Sequence, residues 1–222
     1  LRELDSFTRA IFLDMFGDPF RNTKQWSVVT LGELASCKPN NGVFRKNHEY
    51  GEGVPVVWVE ELFRGNTIDT CESRRLEATP SEIAKYGLRY GDILFCRSSL
   101  KLAGIGFNNV YLGADNGALF ECHLIRLSPD VRKVYPVFLN FALRMASQRL
   151  KLFKQAKTVT MTTIDQEGLQ RIDIPLPPLT LQREFARRVT ATDKIKTLQQ
   201  ASLADTNILF ASLQHRAFQG EI

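Results

Sequence analysis

The 222-residue sequence is poor in the residues that build metal sites, disulfide frameworks and membrane spans. Its cysteines are far apart and form no Cys-x-x-Cys pair, and no histidine stands at a zinc-ligand spacing, so we expect no metal site. Widely spaced cysteines are typical of reduced thiols, which predicts a cytoplasmic protein. The longest apolar stretch, residues 54–59, is far shorter than the roughly 20 residues of a membrane helix, so we expect no membrane contact. The residues concerned are Cys37, Cys71, Cys96, Cys122, His48, His123 and His215.

The motifs of common catalytic and nucleotide-binding sites are also missing. Gly104 and Gly106 lack the third glycine and the strand–helix context of a dinucleotide loop, and there is no Walker lysine motif. The only Pro-Pro pair, at 177–178, follows Leu176, so the Asp/Asn-Pro-Pro-aromatic loop that holds a target adenine is absent. The sequence therefore predicts a chain that is not an enzyme and binds no cofactor.

The C-terminal segment has neither proline nor glycine between residues 181 and 218. Its apolar residues recur mostly at three- and four-residue steps, which predicts one amphipathic helix with a narrow apolar seam for a partner helix or a second copy. We expect Thr180 to be the N-cap and Gly220 to end the helix, which gives a helix of about 57 Å. The seam residues assigned to a dimer or partner contact are Leu181, Phe185, Val189, Ile195, Leu198, Leu209 and Leu213.

A shorter helical pattern opens the chain and a mixed pattern fills the middle. Leu4, Phe7, Ile11 and Met15 have helical spacing and are followed by a Gly-Asp-Pro stop. Strands are predicted at 54–59, 93–95 and 118–127, and a single helix is predicted at 136–156. We therefore divide the chain into an N-terminal helix (1–20), a mixed α/β (α+β) globular domain (21–179) and a long spacer or dimerisation helix (180–222).

Three clusters suit contact with DNA, although a run of like charge is often only a solvated helix face. The net charge of +5 agrees with a polyanionic partner without establishing one. Arginine and asparagine are common readers of base edges, and lysines and hydroxyl side chains contact phosphates. We also expect Gly91 and Asp92 to form a structural turn. The candidate DNA-binding residues are Lys38, Asn40, Asn41, Arg45 and Lys46; Arg97, Ser98, Ser99 and Lys101; and Lys154, Lys157, Thr158, Thr160 and Thr162.

Four motifs together resemble the specificity (S) subunit of type I restriction–modification systems. They are WSVVTLGEL at 26–34; GVPVV at 53–57 with GNTI at 65–68; GDILFCRSS at 91–99; and IDIPLPPL at 172–179, followed by Gln182, the long helix and AFQGE at 217–221. The last motif is the most specific, because a proline-terminated strand that feeds a spacer helix is unusual.

The resemblance implies a non-catalytic target recognition domain that reads one half of a bipartite site in double-stranded DNA. It also implies long helices that form an antiparallel coiled-coil spacer, and docking to methyltransferase (M) and restriction (R) subunits, with S-adenosylmethionine bound by the M subunit. Such subunits carry two recognition domains. This chain would therefore be either a half subunit that works as a homodimer or one half of a longer protein. Two alternatives stay open: a coiled-coil protein-interaction scaffold, and the specificity module of a fused methyltransferase–nuclease.

Overall fold

The computed structural model describes residues 2–99, 101–158 and 162–219. These ranges form a mixed α/β domain with a long C-terminal helix, as the sequence predicts. The helices are α1 (Arg2–Phe16), α2 (Pro80–Tyr86), α3 (Pro136–Arg144), α4 (Ala146–Gln155), α5 (Gln166–Gln170) and α6 (Leu179–Phe218). The strands are β1 (Ser27–Thr30), β2 (Asn40–Asn41), β3 (Tyr50–Val57), β4 (Arg75–Leu76), β5 (Ile93–Cys96), β6 (Ser98–Ser99), β7 (Asn108–Val110), β8 (Leu119–Phe120), β9 (Leu124–Leu127), β10 (Lys157–Thr158), β11 (Thr162–Thr163) and β12 (Asp173–Leu176).

The central sheet is antiparallel, in the order β2-β9-β5-β7, and β5 is buried on both faces. Because side chains alternate along a strand, Ile93 and Phe95 enter one apolar cluster while Leu94 and Cys96 enter another. A second sheet has the order β4-β3-β8, in which β3 runs parallel to β8. The domain core thus lies on both sides of β5.

The opening and closing motifs of the domain pair with each other. β1 and β12 form a two-stranded antiparallel sheet in which Val28 lies opposite Pro175. A proline fits here because a two-stranded sheet leaves one side of each strand without a ladder partner. This pairing brings residues 26–34 next to the segment that leads into α6.

The helix predicted at 136–156 is two helices in the structure. Met145 has φ −62° and ψ 138°, which is extended backbone, so α3 ends at Arg144 and α4 begins at Ala146. The Met145 side chain is buried in the core, and its carbonyl oxygen accepts from the amides of Gln148 and Arg149. Apolar periodicity continues across such a break, so the sequence did not indicate it.

The long helix begins one residue before the predicted N-cap. The carbonyl of Pro178 accepts from the amides of Leu181 and Gln182, so Thr180 lies inside α6 and the N-cap prediction was wrong. The fully buried Gln182 side chain accepts from the Tyr135 amide at 2.7 Å and donates to the Pro177 carbonyl at 2.7 Å. These bonds fix the start of α6 to the globular domain. Gly220, the predicted end of the helix, lies outside the described residues.

An aromatic cluster joins α1 and the start of α6 to the domain core. Phe12 and Phe16 of α1 pack edge-on against Phe185 of α6, with ring centroids 5.4 and 5.5 Å away, and both contact Phe138 of α3. Phe7, which the helical pattern placed on the buried face of α1, is 55% exposed. The buried face is therefore turned toward Phe12 and Phe16.

The far part of α6 leaves the core. Residues 197–216 are all exposed, and at 1.5 Å per residue the 40-residue helix is about 60 Å long. Among the helices of the described ranges, none combines the length and apolar character of a membrane span.

Candidate nucleic-acid interface

Two of the three predicted clusters meet in one small sheet. Strands β10, β11 and β6 pair antiparallel, which places Ser99 opposite Thr162 and Ser98 opposite Thr163. The amide of Ile164 donates to the carbonyl of Arg97 at 2.9 Å and extends this pairing by one residue. The basic segment after β5 therefore lies beside the hydroxyl-rich segment around residue 160. The structure describes the backbone pairing of Lys157, Thr158 and Thr162, whereas Thr160 lies outside the described residues.

The third cluster reaches the same place through a close backbone contact at Gly42. The amide of Val43 donates to the Phe120 carbonyl at 2.8 Å, and a Cβ on Gly42 would lie 2.1 Å from that oxygen and 2.4 Å from the Glu121 carbonyl oxygen. Glycine is required here because its neighbour is rigid backbone. The contact places the loop at 43–49 against the turn between β8 and β9.

Arg97 is the point at which the clusters converge. Its amide donates to the carbonyl of His123 at 2.8 Å, in the same turn that the 43–49 loop contacts. Arg97, Asn41 and Gln166 also line one surface cavity of about 330 Å³. Gln166 donates to the Asn41 side chain at 3.3 Å and so ties β2 to α5. Asn41, Arg97 and Gln166 thus form one polar surface, although Asn41 and Gln166 are 125 residues apart in the sequence. We name it the Arg97 surface.

The exposed side chains on and near this surface carry both signs of charge, since the acids Asp165 and Glu167 line the same cavity as Arg97. Lys46, Arg97 and Lys101 are exposed, and so is the ring of Phe44, at 69%. The Ser99 hydroxyl accepts from the Lys101 amide at 3.1 Å, so it shapes the turn that carries Lys101. An exposed aromatic ring among cations suits contact with nucleic acid, since rings stack on bases while cations meet phosphates.

Two of the candidate DNA-binding residues are held within the protein. Asn40 accepts from the Arg126 guanidinium at 3.0 Å, and Arg126 in turn donates to the Gly87 carbonyl at 2.7 Å. Arg45 pairs with Glu82 of α2 and lies 3.6 Å from Glu49. The structure therefore gives Asn40 and Arg45 internal partners that position the 43–49 loop, which the local sequence did not indicate.

Lys38 and Lys154 are exposed at the margins. Lys38 follows Ser36 and Cys37, which line a separate cavity with Asp92. Lys154 lies on α4, shortly before β10. The structure does not bring these two lysines to Arg97 through any contact among the described residues.

The Gly91-Asp92 turn is structural, as predicted. Gly91 has φ +91°, a conformation that favours glycine. Asp92 is 2% exposed, accepts from the Ser128 hydroxyl at 2.5 Å and from the Arg89 amide at 2.8 Å, and lies 3.8 Å from Arg126. Burial raises the pKa of Asp92, and these hydrogen bonds oppose the rise. The turn thus orients β5, at whose end Arg97 lies.

A buried arginine supports the loop that carries Lys101. Arg149 of α4 donates to the Ala103 carbonyl at 2.6 Å, and its guanidinium lies over the rings of Phe107 and Phe153. Burial lowers the pKa of Arg149 to about 10, so the group stays cationic at neutral pH. The Ala103 carbonyl and the two rings stabilise the guanidinium charge, and these contacts hold the loop between β6 and β7 in position.

Sequence reasoning missed the turn between β8 and β9. It predicted one strand at 118–127, but the structure has two strands separated by Glu121, Cys122 and His123. Three successive polar or weakly apolar residues inside an apolar run were the available signal. Among the described residues, these three form the one group whose potential metal-ligating atoms all lie within 4.8 Å of one another.

The predicted seam of α6 divides into a buried part and an exposed part. Phe185 and Val189 are 0% and 4% exposed and pack in the chain's own core, so their assignment to a partner contact was wrong. Leu181 lies at the margin of the core, at 37% exposure. The exposed apolar residues beyond it are Ile195, Leu198, Leu203, Ile208, Leu209, Phe210 and Leu213.

Comparison with known proteins identifies the family to which this sequence is similar. The family model described as "Type I restriction modification DNA specificity domain" matches residues 23–205. The chain is 31% identical over 225 residues to the type I restriction enzyme EcoBI specificity subunit of Escherichia coli, covering 98% of this chain and 46% of that one. It is 29% identical over 192 residues to the EcoKI specificity subunit of E. coli K12, covering 82% and 40%.

Solved structures share the fold. The HsdS subunit from Thermoanaerobacter tengcongensis matches with a TM-score of 0.58 at 22% identity, over 90% of this chain and 45% of that chain. The type I restriction–modification S subunit from M. genitalium matches with a TM-score of 0.56 at 16% identity, over 94% and 53%. The chain spans about half the length of the curated relatives it matches. The resemblance read from the four motifs is therefore confirmed, and the chain belongs to the family of type I restriction–modification DNA specificity domains.

Proposed function

We propose that this chain is the sequence-reading, non-catalytic part of a type I restriction–modification enzyme and that the Arg97 surface contacts one half of its DNA site. The observation that carries the proposal is the convergence of three distant basic and hydroxyl-rich segments around Arg97. Exposed cations there would meet phosphates, and the side chains between them would read base edges.

The exposed part of α6 would serve assembly. Single exposed apolar side chains are common, but here several large ones follow one another along a helix that has left its own core. We propose that this face packs against a second copy or another helix of a longer subunit and against the M subunit. A helix of about 60 Å exceeds one DNA turn of about 34–36 Å, so it is long enough to set the distance between two half-sites. Methylation and cleavage would then belong to the M and R subunits, with S-adenosylmethionine on M.

The DNA part of the proposal is tested by expressing the chain with its M subunit in a methylation-free host and sequencing the methylated adenines. We expect one motif, and the purified complex should bind a duplex with that motif at least about 10³-fold more tightly than a scrambled duplex. Methylation without a motif, or equal affinity for both duplexes, would contradict the proposal. Salt-insensitive protein binding without DNA retention would favour the scaffold alternative.

The assembly part is tested by light scattering on the chain alone and with the M subunit. A particle of twice 25.2 kDa, or a complex with two copies of each chain, would support self-association. Leu198→Lys and Leu209→Lys should abolish it, since both side chains are about 60% exposed on α6. Thr197→Lys, also exposed on α6, is the matched control for added charge. A strict monomer in both samples would contradict self-association and leave the chain as one half of a longer subunit.

A further inference from the structure

His123 lies beside the Arg97 surface, although no sequence motif singled it out. It lies in the turn between β8 and β9, and its carbonyl accepts from the Arg97 amide at 2.8 Å. Its side chain is 58% exposed and lines a cavity together with Phe44 and Lys46 of the 43–49 loop. The imidazole therefore lies beside the 43–49 loop, while the backbone of His123 is bonded to that of Arg97.

A buried carboxylate holds the ring of His123. Glu121 Oε2 lies 2.7 Å from His123 Nδ1 and also accepts from the His123 amide at 2.8 Å. The Glu121 side chain is 3% exposed, and its Oε1 has no hydrogen-bond partner among the described residues. In the arrangement where Glu121 is a carboxylate, which only accepts, Nδ1 is the donor and Nε2 is left for an external partner. A buried carboxylate is costly unless hydrogen bonds or an opposite charge compensate it, and His123 supplies two hydrogen bonds to the Glu121 side chain.

We propose that His123 is a DNA-contacting residue and that Glu121 is its positioning residue. The inference rests on the proposed function and extends it to a specific pair. With Nδ1 held by Glu121, the ring orientation is fixed before DNA arrives, so little side-chain freedom is lost on binding. The Nε2 edge would contact DNA in one of two ways: the neutral ring would accept from the amino group of a base, whereas a contact with a backbone phosphate requires the doubly protonated ring, in which Nε2 donates.

The test is equilibrium binding of the chain, with its M subunit, to the motif duplex found by methylation sequencing. We expect His123→Ala to weaken binding about 5- to 150-fold, as for other direct contacts, and Glu121→Gln to weaken it less. A phosphate contact would lower the slope of log affinity against log salt by about one and leave base preference unchanged. A base contact would leave the slope and relax preference at one position of the site.

Control variants show whether a loss of affinity is specific to His123 and Glu121. His215→Ala, on the exposed part of α6, should leave affinity unchanged, and Arg97→Ala should lower it. If His123→Ala lowers the urea midpoint of unfolding, binding is measured with His123→Gln instead, because glutamine retains a polar edge. Wild-type affinity in both His123 variants, while Arg97→Ala weakens binding, would overturn the inference alone. An equal loss from Cys122→Ser and from a chelator would also overturn it, because the turn would then hold a metal ion. Failure of the wild-type complex to prefer the motif would instead overturn the proposed function.

Discussion

The amide of Ile164 donates to the carbonyl of Arg97 at 2.9 Å, while the amide of Arg97 donates to the carbonyl of His123 at 2.8 Å. Both backbone polar groups of Arg97 are thus bonded to different parts of the chain. Its exposed side chain therefore starts from a fixed backbone position, which lowers the entropic cost of a specific contact.

Arg97→Ala should weaken binding to the motif duplex by about 1–3 kcal/mol if Arg97 reads a base. Arg187→Ala is the matched control, because Arg187 is an exposed arginine of α6 that pairs with Glu184. Fluorescence anisotropy from about 50 to 200 mM salt gives both affinity and salt slope. Equal affinities for the two variants would contradict the assignment of Arg97 to DNA.

Gly42→Ala should destabilise the fold, because the added Cβ would clash with the carbonyl oxygens of Phe120 and Glu121. We expect a loss of about 1–3 kcal/mol in the free energy of unfolding, the usual cost of overpacking. Gly51→Ala is the control, since a Cβ there meets nothing within 4 Å. Urea unfolding of both variants measures the difference. Similar midpoints would mean that the backbone at Gly42 moves away without cost.

Phe185→Ala and Phe210→Ala should have different effects on the free energy of unfolding, because they lie in the buried part and the exposed part of α6. Phe185 is fully buried against Phe12, Phe16 and Phe141, so its loss should cost about 3–5 kcal/mol of unfolding free energy. Phe210 is 67% exposed, so its loss should cost less than about 0.5 kcal/mol in the chain alone. Chemical unfolding tests both values. A large loss of stability from Phe210→Ala in a monomeric sample would show that this part of α6 packs within its own chain.

Asp130 should make stability depend on acid pH. Hydrogen bonds from the Arg132 side chain and amide, at 2.9–3.1 Å, lower the pKa of Asp130 from 3.8 to about 2. Because the folded-state pKa is depressed, the ionised group stabilises the fold above pH 3.8, and that contribution is lost as the pH falls toward about 2. Arg132→Ala should return the Asp130 titration toward 3.8, as followed by NMR. An unchanged titration would show that the Arg132 side chain is not the cause.

The local elements were predictable where a short pattern decided them. The absence of proline and glycine indicated α6, and Gly91 with Asp92 indicated a turn before β5. The break at Met145 was missed because apolar residues continue through it, and their spacing does not reveal a change in ψ at one residue. The turn at 121–123 was missed although Glu121 and His123 interrupt the apolar run. The candidate site was predicted as three clusters, and their members proved unequal: Arg97 is exposed, whereas Asn40 and Arg45 have internal partners.

The sequence by itself determined the family, the non-catalytic character that we propose, and the existence of a mixed domain with a long helix, because those properties reside in motifs and periodicities along the chain. Tertiary structure alone decided which side chains share a surface. β6 meets β11, and Gly42 lets a distant loop touch Phe120 and Glu121. It also decided that Phe185 belongs to the core while Phe210 does not, since a helix shows the same apolar spacing whether or not another element lies against it.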